Sequence, residues 1–159
     1  MAVITSSLPK RFPIVPSDVF GYEVNTDVGY GRESFVLTLT SGQTARVGTV
    51  LEVDYAAKTA TLVEAPADAA AVEALGDLAV FVGRDIVAVS TAADFENLEA
   101  TVTGLTVVGI VKGDGRGTLA RGYLDFAGDA YYDLPADVKA ALDAKFTKEN
   151  RFKMQHQAI

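Results

Sequence analysis

Val47-Gly48-Thr49-Val50-Leu51-Glu52-Val53 and Thr59-Ala60-Thr61-Leu62-Val63 stand either side of the five residues Asp54-Tyr55-Ala56-Ala57-Lys58. Both runs are rich in β-branched residues and too short for a stable helix, so they read as the two strands of a hairpin. The same texture extends outward. Phe35-Val36-Leu37-Thr38-Leu39-Thr40 is a strand that Ser41-Gly42 ends. Leu78–Val82 and Ile86–Ser90 flank Gly83-Arg84-Asp85, and Ala92–Ala100 reads as an acidic loop. Thr101–Val111 is one long strand or a kinked pair broken at Gly104, and Thr118–Phe126 reads as a further strand. About eight short strands with frequent turns predict a mostly β chain, a small β-barrel or a sandwich-like body.

Two stretches depart from this period. Ala67–Leu75 is Ala-rich between Pro66 and Gly76, which is helix punctuation, with a mobile Ala loop as the alternative. Beyond Pro135, Val138, Leu142 and Phe146 recur every four residues with Ala141 between them. That spacing predicts one short C-terminal helix near 135–148 that lays its apolar stripe on the sheet. The remainder, Glu149–Ile159, is polar and weakly patterned.

The first segment is of another kind. Pro9, Pro13 and Pro16 each fix φ and remove a backbone donor, so neither a helix nor a central strand is expected to persist here. Yet Val3, Ile4, Leu8, Phe12, Ile14, Val15, Val19 and Phe20 are apolar, where a solvated linker would be polar. Residues 1–20 therefore read as an extended N-terminal arm, and residues 21–159 as a single β-rich domain. The arm's apolar side chains need a surface, either the protein's own body or another molecule.

Composition narrows function. The 159 residues suit one domain, and 14 basic against 21 acidic residues leave a net charge of −7. A nucleic-acid partner is not expected, because phosphate binding rests on clustered Lys and Arg. No membrane partner is expected either, since the longest apolar runs are strand length. With no Cys and one His, His156, near the end, thiol chemistry is excluded and a His-rich metal site is impossible. The expectation is no catalytic residue, no metal and no cofactor.

Individual motifs read blandly. Gly113-Asp114-Gly115-Arg116-Gly117 lacks phosphate-loop spacing and predicts a flexible hairpin tip. Asp125, Asp129 and Asp133 read as a solvated acidic loop rather than a cation site. Arg84-Asp85 and Arg116-Asp114 read as surface pairs. Gly122-Tyr123-Leu124-Asp125 is similar to the Gly-x-x-Asp substrate motif of trimeric all-β dUTP diphosphatases, but the Gly-rich C-terminal phosphate arm of that family is missing.

The order of elements resembles the lambda-type head decoration (cement) proteins of tailed bacteriophages. The residues that carry the resemblance are Val47-Gly48-Thr49-Val50-Leu51 opening a hairpin, Gly117–Leu124 as a late strand, and the helix Pro135–Phe146. The chain departs from that family in its extra sequence around Gly21–Thr40 and in its polar end. The resemblance implies a non-enzymatic virion protein on the outer capsid surface, present in the host cytoplasm during assembly. It implies a homotrimer that binds the major capsid protein and clamps neighbouring subunits, with Val3, Ile4, Leu8, Phe12, Ile14, Val15 and Phe20 as the capsid-binding arm. A tail-tube or head-completion protein, or a small-molecule-binding barrel, is the alternative.

Overall fold

The computed structural model describes residues 16–21, 23, 31–40, 42–83, 86–87 and 102–155. In chain order the elements are α1 (Pro16–Val19), β1 (Arg32–Leu39), β2 (Thr44–Ala45), β3 (Val50–Asp54), β4 (Thr59–Leu62), α2 (Ala69–Glu73), β5 (Asp77–Phe81), β6 (Ile86–Val87), β7 (Val102–Ile110), β8 (Thr118–Ala120), β9 (Asp125–Phe126), β10 (Asp129–Ala130), α3 (Ala136–Lys148) and β11 (Lys153–Gln155). The fold is mostly β, built on a closed barrel of five strands in the order β1-β4-β3-β5-β7.

The expected hairpin is present. β3 and β4 pair antiparallel with Leu51 opposite Leu62 and Val53 opposite Ala60. Asp54 Oδ1 accepts from the Ala56 and Ala57 amides at 2.8 and 2.9 Å and so holds the turn. β4 then pairs parallel with β1, Val36 opposite Thr59, while β1 pairs antiparallel with β7 to close the barrel. β7 is one continuous strand, but its register against β1 shifts at Gly104, where Thr103 and Gly104 together stand opposite the single residue Thr38.

Side chains of alternate residues fill the barrel. Phe35, Leu37 and Leu39 point inward from β1 while Val36 and Thr38 face solvent. Leu51, Val53, Ala60, Leu62, Ala79 and Phe81 complete the interior. β5 from Leu78 to Phe81 and β3 at Val50-Leu51 are buried on both faces, which explains these unbroken apolar runs. Their outer side chains, Val50, Leu78 and Val80, join a second core with Val72 of α2 and Val138, Leu142 and Phe146 of α3. The α3 stripe thus lies on the sheet as its spacing predicts. α2 is shorter than its Ala-rich run, and Asp68 is its N-cap, accepting from the Ala71 amide at 2.8 Å.

Four sequence expectations need correction. Thr118–Phe126 is not one strand. A 3-10 turn at Arg121–Tyr123 separates β8 from β9, and Gly48 (φ +98°) packs so closely on the Tyr123 carbonyl at that turn that no side chain fits between them. The Gly113–Gly117 loop is not a free hairpin tip. It is held on the chain's end by Gly113 N–H to the Asn150 carbonyl and Gly115 N–H to the Arg151 carbonyl, both 2.8 Å. The polar end contains β11, paired parallel with β8, and a buried Phe152. Finally, a helical turn does form before Val19, because Pro16 occupies the first helical position, where its missing N–H costs nothing.

Candidate functional site

The resemblance places the interaction site at the N-terminal segment. Of its named residues, Val3, Ile4, Leu8, Phe12, Ile14 and Val15 lie outside the described residues, as do Arg84, Asp85, the loop Ala92–Ala100 and His156. Phe20 is described, and it is part of the body. It is 5% exposed, belongs to the second core, and its ring is tilted 43° to that of Phe152. Val19 is fully buried beside it, and the Phe20 amide closes the α1 turn on the Pro16 carbonyl at 2.8 Å. α1 packs on β8 and on the Arg121–Tyr123 turn. The arm as read from sequence therefore ends before Pro16, and the body owns residues 16–20.

The surface around this root is built by three distant pieces of chain. Arg121 donates from Nε and Nη2 to Asp143 of α3, at 3.0 and 2.8 Å to Oδ2. The Tyr131 hydroxyl donates to the other oxygen, Oδ1, at 2.7 Å. Burial, then the bond to Asp143 and that carboxylate's charge, push the Tyr131 phenol well above its ordinary range. The Arg121 guanidinium is also raised, mainly by its bond to Asp143. Tyr131, only 3% exposed, is thereby fixed as a neutral donor that locks the 3-10 turn Tyr131–Asp133 onto α3.

The acidic residues singled out by spacing do not converge. Asp129 and Asp133 are exposed. Asp125 is 4% exposed, a correction to its reading as solvated. Its Oδ1 accepts from Arg46 Nη2 at 3.0 Å and its Oδ2 from the Gly128 amide at 3.3 Å. This pair clasps the β9–β10 hairpin, whose turn residues Ala127 and Gly128 both have positive φ, to the loop that opens β3. Asp125 is thus committed to structure, with its own amide on the Gly48 carbonyl at 3.1 Å. Likewise, Asp114 pairs with Arg151 at 3.3 Å rather than with Arg116.

Beside the β3–β4 turn an open concavity of ≈ 510 Å³ is lined by Glu52, Asp54, Tyr55 and Asp77. Two of its carboxylates serve local structure: Asp54 holds the turn, and Glu52 accepts from the Gly76 amide at 3.0 Å. The barrel interior itself is occupied by its own Phe and Leu side chains, so ligand-sized space lies outside it. Among the described residues no cluster of three metal-ligating side chains occurs.

No spacing in the sequence joined Arg121 to Asp143 or Arg46 to Asp125. The one available signal at the chain's end was Phe152, an aromatic residue within a polar stretch. Compared with known protein families, curated proteins and solved structures, the chain finds no match.

Proposed function

We propose that the protein is a structural, non-enzymatic virion component that binds the outer surface of a bacteriophage capsid and bridges neighbouring subunits of the major capsid protein. The observation that carries this reading is the anchoring of residues 16–20 in the body. It roots the apolar residues of the preceding segment at one fixed point of a rigid barrel. A segment bearing Val3, Ile4, Leu8, Phe12, Ile14 and Val15, interrupted by prolines, is suited to lie extended on a foreign surface. Burying each large apolar side chain contributes roughly 1.5–3 kcal/mol. Ordering the backbone costs about 1–2 kcal/mol per residue. A single copy then binds weakly, and a homotrimer gains by making its second and third contacts intramolecular.

The filled barrel supports this reading over a small-molecule carrier that holds its ligand inside the barrel. The test is co-sedimentation of the purified protein with expanded heads of the phage that encodes it, together with light scattering of the free protein. Saturable binding and a trimer mass are expected. A protein that stays in the supernatant at every concentration refutes the proposal.

A further inference from the structure

The body of this chain is acidic, yet its fold gathers cations beside the root of the N-terminal segment. A concavity of ≈ 450 Å³ lies between the last turns of α3 and β11, walled by Arg121, Thr147, Lys148, Phe152, Lys153 and Met154. The lone carboxylate in its lining, Asp143, is satisfied on both oxygens by Arg121 and Tyr131. Lys148 and Lys153 are exposed and stand in no ion pair among the described residues. Half-buried Met154 and the edge of Phe152 supply an apolar wall between them. The groove is therefore cationic at its rim and apolar within. That combination fits an acidic peptide segment presenting an apolar side chain.

Its position is the second observation. Phe152 contacts Phe20, whose segment begins at Pro16, and Lys153 sits opposite Thr118 on the β8 strand against which α1 packs. Through that contact and β8, the groove neighbours the element that residues 1–15 precede.

We infer that the groove bounded by Lys148 and Lys153 is the body's own docking site for an acidic, apolar-bearing segment of the capsid shell. This rests on the function proposed above and names the body face that meets the shell. An acidic protein approaches such a segment most favourably with the face where its carboxylates are neutralised and its ammonium groups are not.

The test is head binding by the full chain and by a Lys148→Glu/Lys153→Glu double variant, at low and high salt. Both side chains are exposed, and β11 pairs through its backbone, so the variant is expected to keep the wild-type melting curve. The double reversal is expected to weaken binding about tenfold or more at low salt, with a smaller difference at high salt. Lys148→Arg/Lys153→Arg is expected to bind as wild type. Wild type that fails to bind heads sinks the proposed function itself. Wild type that binds, with the Glu variant binding equally at low salt, overturns this inference alone. A Glu variant that loses the trimer mass assigns the groove to contacts between copies. Retention of wild type on duplex DNA, lost in the Glu variant, assigns it to nucleic acid. Either of these last two results also overturns the inference.

Discussion

The ring of Phe20 lies 6.2 Å, centroid to centroid, from the ring of Phe152, so the two ends of the described chain meet in one core. Phe146 of α3 completes the group, 6.4 Å from Phe152. This contact divides the N-terminal region into an anchored part and a part that precedes it. Deletion of residues 1–15 is expected to leave the melting temperature nearly unchanged and to abolish attachment to heads. Phe20→Ala or Phe152→Ala is expected to cost about 3–5 kcal/mol in chemical denaturation, because each empties a packed core position. A truncation at residue 15 that unfolds the body would refute the division.

Gly48→Ala should be among the most damaging single changes. A Cβ at this position would collide with the Tyr123 carbonyl oxygen, and the φ of +98° is strained for any L side chain. The expected loss is about 3 kcal/mol or more, read as a lowered denaturant midpoint with an unchanged slope. Gly42→Ala is the comparison: its φ is also positive (+84°) but nothing lies within 4 Å, so the strain alone should cost roughly 1 kcal/mol.

The Arg46–Asp125 clasp predicts an asymmetry between its partners. Arg46→Met leaves the buried Asp125 carboxylate with the Gly128 amide as its one side-chain partner among the described residues, and is expected to cost about 1–3 kcal/mol. The double variant Arg46→Met/Asp125→Asn removes the stranded charge as well. It should recover part of that loss in a double-mutant cycle. If the double variant is less stable than Arg46→Met, the buried charge is not what the arginine compensates.

Tyr131 gives the stability a defined dependence on alkaline pH. Its phenol is held protonated in the fold above its ordinary value of 10.0, chiefly by burial. The unfolded chain therefore releases this proton first. The stability contributed by Tyr131 is complete below about pH 10 and is lost as pH rises from there toward the folded value. Tyr131→Phe is expected to lower stability at neutral pH by about 1–2 kcal/mol through loss of the Asp143 hydrogen bond. It should also flatten the decline above pH 10. An alkaline decline as steep in the Phe variant as in wild type would remove Tyr131 as its cause.

What the sequence determined by itself was local and periodic. The alternation in Phe35–Thr40 and Thr59–Val63, the five-residue gap before Thr59, and the four-residue recurrence of Val138, Leu142 and Phe146 each specify an element, because one face of each element is buried. Mostly β character and one C-terminal helix followed from these alone. Only the tertiary structure decided which elements meet. The parallel pairing of β1 with β4, the strand at Lys153–Gln155 laid against Thr118–Ala120, and the clasps Arg46–Asp125 and Arg121–Asp143 join residues 22 or more positions apart. Such contacts leave no period in the chain. A three-residue strand whose partner supplies its hydrogen bonds needs no apolar pattern of its own, and so Lys153-Met154-Gln155 reads as polar tail. Phe20 shows the same limit from the other side. Its apolar character was legible, but whether it served a foreign surface or the body depended on Phe152, 132 residues away, being there to receive it.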